Sequence, residues 1–246
     1  MNDLIPTNGI PLIARPGALS CADSLVSFLG LTGRGIAVYD DDSFRAAGPK
    51  PAVFRSILFD NEQLKVNDLS LHYLRKQCEQ EGNWLIAIGG EAVISITKLV
   101  AAATHMPWIS APVCAFGTGI ASDMALMETP LGLTRSKGCL PTAVLADTGL
   151  MALADRSITL GAIRELADYA GQLAENRAVA LACGYKLDEA SLAERQKAID
   201  VALRRCSAGL GPKDNEAYIA LCSVLVLCGQ AGSPLPSDPR RLHHLR

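Results

Sequence analysis

The stretch Ile86-Ala87-Ile88-Gly89-Gly90-Glu91-Ala92-Val93-Ile94-Ser95-Ile96-Thr97-Lys98 decides how the rest of the chain is read. Three apolar residues run into two glycines, and a helical apolar pattern follows at once. That order predicts a strand, a tight turn and a helix start. Glycines at such a turn let backbone amides approach a pyrophosphate, and the positive end of the helix favours its charge. A tight strand-to-helix turn with no ligand has the same spelling, so the segment alone leaves both readings open.

The same alternation repeats on either side. Residues 11–14 form a short apolar run, followed by Arg15-Pro16-Gly17 and a helical pattern through Leu19, Leu25, Phe28 and Leu29. Further apolar runs cover 35–39, 53–59, 84–88 and 108–112, with helical patterns over 66–81 and to about 104. Strands alternating with helices predict an α/β fold, a parallel sheet covered on both faces, with ligands at the carboxyl ends of the strands. Beyond about Pro141 one short extended piece remains, 144–147, and then the period is helical over 157–175, 187–206 and 215–228. Asp188 or Ser191 is the expected cap of the middle helix and Asp214 of the last. The expected organisation is a Rossmann-like α/β domain over 1–150 and an all-helical domain over 151–246.

Composition narrows the function classes. Apolar residues at 49% and charged residues at 20% describe a soluble globular chain with a substantial core. Aromatics at only 5% mean that Ala, Leu, Ile and Val must build it. A net charge of −2 offers no field for nucleic acid or an anionic membrane, and neither is expected as a partner. The apolar stretch 217–228 falls short of the ~20 residues that cross a bilayer and reads as a buried helix. Eight cysteines without C-x-x-C spacing or a secretory leader predict reduced, mostly buried thiols in a cytoplasmic protein.

Taken together, the motifs resemble the dehydroquinate synthase-like superfamily, which includes iron-type alcohol dehydrogenases, and within it the glycerol-1-phosphate dehydrogenases. The Gly89-Gly90 turn with Lys98 resembles the family's Gly-Gly-Gly-x-x-x-Asp-x-x-Lys stretch. Pro16-Gly17-Ala18-Leu19 is similar to its first glycine turn, and Val38-Tyr39-Asp40 to its second strand. Pro107-Trp108-Ile109-Ser110-Ala111-Pro112, followed by Gly119-Ile120-Ala121-Ser122, resembles the substrate-side loop. Pro141-Thr142-Ala143-Val144-Leu145-Ala146-Asp147 resembles the strand entering the helical part, Arg156 and Gly161 the helix of the first metal ligand. Ala231-Gly232-Ser233 and His243-His244-Leu245 resemble the stretch of a second ligand.

The departures fall where the chemistry should be. Glu91 replaces the third glycine of the turn, and Ser95 replaces its Asp, while Lys98 is kept. Val113 stands for a Thr, and Gly117-Thr118 for a polar residue followed by Asp. Counted from Arg156 and Gly161, the first metal ligand falls on Arg164, which cannot coordinate a cation. Glu165 is adjacent but turned by ~100° on a helix. The family's third ligand, a further His, has no counterpart up to Arg246, so no metal site is expected.

The resemblance therefore implies a relative of NAD(P)-dependent glycerol-1-phosphate dehydrogenase that has lost metal-dependent dehydrogenation and keeps a nucleotide or small phosphorylated ligand. The implied cofactor, NAD or NADP, would lie against Asp40, Gly89, Gly90, Ser95, Lys98 and Thr118. Asp40 reads equally as a ribose partner or as an exposed acidic turn. The same residues also permit a metal-free enzyme with Glu91, Ser95, Lys98, Thr118, Asp123 and Arg164 in one cleft. There Glu91 would act as general base, with Lys98 and Arg164 holding a phosphate or carboxylate. The motifs are equally compatible with an active NAD(P)-linked oxidoreductase on a polyol phosphate, or with a remnant of a longer gene. A short helical domain would need a second copy or a partner chain to cover it. Cys114 reads as a buried thiol, His105 as a helix end, and Asp147 as the cap of the next helix.

Overall fold

Strand and helix alternate as far as Asp147 and helix alone follows, across residues 4–5, 9–48, 50–61, 64–184, 186–208 and 214–231 described by a computed structural model. The order begins with β1 (Leu4–Ile5), β2 (Leu12–Arg15), α1 (Ala22–Phe28), β3 (Gly35–Asp40), α2 (Asp41–Ala46) and β4 (Arg55–Phe59). It continues with α3 (Asp68–Glu81), β5 (Trp84–Gly89), α4 (Glu91–Thr104) and β6 (Trp108–Pro112). A hairpin of β7 (Met124–Thr129) and β8 (Gly132–Lys137) precedes β9 (Ala143–Asp147) and α5 (Thr148–Met151). The helical part is α6 (Arg156–Cys183), α7 (Glu189–Ser207) and α8 (Asn215–Gln230).

Seven strands form one sheet in the order β1-β2-β9-β6-β5-β3-β4, parallel except for the antiparallel β1. The expected α/β class with a helical second part is the one found. Period-two alternation sorts the strand residues between two faces. Ala37, Tyr39, Ile86, Ile88, Ile109 and Leu145 face α1 and its neighbours. On the opposite face Ile36, Val38, Leu85, Ala87 and Trp108 meet α3 and α4. Leu12, Ala14, Val144 and Ala146 lie on that same face but meet α6, α7 and α8. The helical part and α4 thus stand side by side over one surface of the sheet, and the seam between them is where a cleft can open.

Local chemistry sets the helix ends. Asp40 caps α2 by accepting from Ser43 N at 2.7 Å, Asn67 caps α3 through Ser70 N at 3.0 Å, and Asp188 caps α7 through Ser191 N at 3.1 Å. His105, with φ 56°, closes α4. Residue 214 precedes α8, its carbonyl accepting from Ala217 N at 3.0 Å. All eight cysteines are unpaired, with Cys78, Cys114, Cys206, Cys222 and Cys228 buried. No described helix is long and apolar enough to cross a membrane. His243, His244 and the Pro- and Arg-rich tail lie outside the described residues.

Candidate functional site

Two glycine turns end neighbouring parts of the sheet, and they differ in what fills them. At the first, after β2, the amides of Gly17 and Leu19 donate to the carboxylate of Asp147 at 2.9 and 3.3 Å. Asp147 also accepts from Gly149 N and Leu150 N at 3.1 and 3.4 Å, so it caps α5 as expected and closes the turn from within. At the second turn, a Cβ on Gly89 would lie 2.6 Å from Val93, so this glycine serves close packing of β5 on α4. Gly90 is different: a Cβ there would meet nothing nearer than Cys114 Sγ at 3.9 Å. No side chain caps α4 either. The start of a 14-residue helix is left open toward the carboxyl edge of the sheet, which suits an anion such as a pyrophosphate.

That opening sits at a topological switch. The connection after β3 leads outward to β4 and the connection after β5 leads the other way to β6, so the chain diverges between them. Asp40, at the end of β3, is half-buried and holds the start of α2.

Beside the switch lies a cleft of about 400 Å³ between α4, the loop after β6, the hairpin and α6. Glu91 and Ser95 reach it from α4, Thr118 and Asp123 from the loop, and Arg135 from β8. Glu165 and Asp168 come from α6. Glu165 is the organising side chain. Thr118 donates to its Oε1 from both the backbone N–H, at 3.2 Å, and the hydroxyl. The carboxylate lies against Gly117, whose φ of 128° and lack of a Cβ admit it. On the other side Gly229 of α8 packs so closely that a Cβ would approach Thr118 O to 2.5 Å. The loop is clamped between the two helices.

Lys98 works beneath this loop. Its ammonium, fully buried, donates to Gly119 O at 2.9 Å, Met124 O at 2.8 Å and Ser122 Oγ at 3.4 Å. It fixes the loop's path from below and does not line the cleft. Burial lowers its pKa to about 8 against the opposing pull of Asp123, Cys139 and Glu91. Glu91, exposed at the cleft mouth, has its carboxyl raised by partial desolvation and by the charge of Glu165, with Lys98 opposing. Burial pushes Cys114 up to about 11, as for a packed thiol and not a nucleophile.

Four of the six residues expected in one cleft are there: Glu91, Ser95, Thr118 and Asp123. Arg164 is not, and this expectation is corrected. It is exposed on α6, and the side chain facing the cleft is its neighbour Glu165. The helix phase explains the difference, because Ala162, Leu166, Tyr169 and Leu173 bury one face and Glu165 borders it. Asp168, Tyr169 and Gln172, also on the cleft, follow Glu165 at i+3, i+4 and i+7, a spacing that could have found them. Among the described residues no three His, Cys, Asp or Glu side chains converge closely enough to hold a metal ion. The carboxylates present do not fit one by themselves.

Comparison with known proteins agrees with this architecture. Residues 31–154, from before β3 through α5, match the family model for iron-containing alcohol dehydrogenases. A glycerol-1-phosphate dehydrogenase [NAD(P)+] of Thermococcus kodakarensis is 30% identical over 129 residues, 50% of this chain and 37% of the relative. That of Methanospirillum hungatei is 28% identical over 166 residues, 66% of this chain and 46% of the relative. The chain thus spans less than half the length of these curated relatives. Among solved structures, a probable glycerol dehydrogenase from Sinorhizobium meliloti 1021 superposes with a TM-score of 0.75 at 19% identity. That superposition covers 94% of this chain and 68% of the other, and shows the shared fold. With more than half of its residues matched, from the switch point to the start of the helical part, the chain belongs to the iron-containing alcohol dehydrogenase family.

Proposed function

We propose that this chain binds a nicotinamide nucleotide across the carboxyl ends of β3 and β5 and no longer carries out metal-dependent dehydrogenation in the adjoining cleft. The observation that carries the reading is a contrast within one site. The helix start at Gly90 is open to an anion, whereas the Glu165 carboxylate is engaged by Thr118 and joins no set of metal donors among the described residues. The NAD(P)+ in the names of the curated relatives supports the nucleotide half.

A bound nicotinamide would supply hydride chemistry; the chain supplies the seat. Gly90 leaves room above the turn, the uncapped start of α4 offers the positive end of a helix dipole, and Asp40 offers a carboxylate at the end of β3. Glu91 is the unfavourable element, a carboxylate at the first position of that helix. Its raised pKa also favours a second reading, in which Glu91 gives or takes a proton in a metal-independent reaction.

A thermal-shift titration with NAD+, NADP+, NADH and NADPH, with and without Zn2+, tests the proposal. A nucleotide at about a hundred times its Kd is expected to stabilise by ~2.7 kcal/mol, whether or not zinc is present. No shift at millimolar nucleotide would overturn the nucleotide half. Zinc-dependent reduction of dihydroxyacetone phosphate would overturn the other.

A further inference from the structure

We propose that the groove between α6 and α7 is the seat of a second copy of this chain, docked with its own α7 antiparallel across a two-fold axis. The inference is independent of the functional reading above, because groove and cleft lie on different flanks of α6. Glu165, Asp168 and Gln172 face the cleft, whereas Leu173, Arg177 and Leu181 face the groove. At 100° per residue the two sets point about 150° apart. The groove holds about 750 Å³, and its apolar lining comes from Leu173, Ala178 and Leu181 of α6 with Leu192 and Ala193 of α7. Leu181 is 69% exposed, apolar surface that a lone chain leaves to water.

The charges on α7 select the occupant. Glu189, Ala193, Lys197, Asp200 and Arg204 follow at spacings of four, four, three and four residues, so they form one stripe along the outer side of the helix. Its charged members read minus, plus, minus, plus, and turned end for end they read plus, minus, plus, minus. Two copies laid antiparallel therefore set opposite charges against each other along the whole stripe. With Lys197 opposite Asp200 of a second copy, Glu189 comes within about one turn of that copy's Arg204. An acid at the start and a base at the end serve the dipole of any helix. Lys197 ahead of Asp200 in mid-helix has no such explanation, and a two-fold antiparallel contact requires that order. The cations are available: neither Lys197 nor Arg204 has an ion-pair partner among the described residues, while Glu189 meets Arg177 at 3.1 Å on the groove's edge. Asp200 accepts only from the neutral Gln196, at 3.0 Å. Helix α7 is about 28 Å long, and two helices side by side are about 20 Å across, a face of the size a modest two-fold interface needs. The product is a four-helix layer, α6 and α7 of each copy, with the same patch used twice.

Sedimentation velocity of the full chain at about 1 to 200 µM provides the test. A monomer–dimer equilibrium is expected, weakened several-fold between about 0.05 and 0.5 M NaCl. Lys197→Glu places like charges opposite each other twice across the axis and should weaken the dimer at least about tenfold, and Asp200→Lys should do the same. The double variant exchanges the two charges and should restore the dimer to within about threefold of the parent. Both side chains are exposed, and circular dichroism checks that each variant is folded. A chain that stays monomeric throughout overturns the proposal. So does a dimer that neither single variant weakens, which would place the contact on another face. Single variants that weaken a dimer the double variant does not restore would refute the pairing of Lys197 with Asp200.

Discussion

Replacing Gly117 by alanine would place a methyl group in the space now held by the Glu165 carboxylate, at a backbone position with φ 128° and ψ −167°. Two costs follow, and they can be separated. That region of φ/ψ is essentially reserved for glycine, so the backbone alone costs ~1–3 kcal/mol. Glu165 must also withdraw, giving up the two hydrogen bonds it accepts from Thr118, each worth ~1.5–3 kcal/mol for a charged acceptor before water recovers part of it. The expected loss for Gly117→Ala is therefore about 3–5 kcal/mol. Glu165→Ala, which empties the same space, is expected to cost about 2 kcal/mol. In the double variant the methyl meets no carboxylate, and only the backbone cost should add to that of Glu165→Ala. The pair should thus fall short of additivity by about 2 kcal/mol, measured by urea unfolding followed by circular dichroism. In melting temperature this is ~4–8 °C for a chain of this size. Costs that add to within ~0.5 kcal/mol would refute the argument that Gly117 is a glycine because Glu165 rests on it.

Three further outcomes follow from the site. Lys98 has a folded pKa of about 8 against an ordinary 10.5, so between these values the unfolded chain holds the proton more tightly and stability rises with pH. Lys98→Met should remove that rise, at most about 3 kcal/mol, in urea titrations from about pH 7.5 to 10.5, and an unchanged slope would refute it. Glu91 is shifted the other way, its carboxyl raised above 4.5, so its stabilising contribution is present at low pH and lost as pH climbs through the folded value. Glu91→Gln should abolish this loss and, by removing a negative charge from the start of α4, tighten NAD+ binding ~3- to 10-fold in a fluorescence titration; weaker binding would contradict the open-turn reading. Asp147→Asn leaves four backbone amides short of a charged acceptor and should cost ~2–3 kcal/mol, and a thermal melt within ~2 °C of the parent would show the tie to be dispensable.

The order of strands and helices was readable because the central strands are buried on both faces and so are continuously apolar, while α3 and α4 carry a helical period. Elements without such a pattern escaped. Helix α2 is six residues of mostly polar character, held by the Asp40 cap and by Phe44 packed edge-on against Tyr39. The β7–β8 hairpin is largely exposed, so its strands lack the apolar runs that betray a buried sheet. The candidate site was legible where a side chain's address follows from a turn, as for Glu91 and Ser95 after Gly90. It was misjudged where a motif was counted along a helix: counting from Gly161 selects Arg164, whereas the apolar phase of Ala162, Leu166 and Tyr169 turns Glu165 inward. The role of Lys98 could not be read at all, since its partners are carbonyls of a loop some twenty to twenty-six residues away.

Strand β2 pairs in parallel with β9, and the amide of Gly17 meets Asp147 across 130 residues of chain. During synthesis, then, the first parallel strand of the large sheet, β2, waits for the last. At ribosomal speeds of ~5–20 residues per second, the delay is on the order of ten seconds. Meanwhile β3, β4, β5 and β6 can assemble around α3 and α4, with the free edge of β6 facing the vacancy that β9 will fill. The Leu12-Ile13-Ala14 segment, apolar and paired on one side alone, with the two residues of β1, is for that interval the part of the nascent chain best suited to join a wrong edge or a chaperone. Insertion of β9 ends the exposure at both places in one event: it covers β6, receives β2 and delivers the carboxylate that locks the first turn.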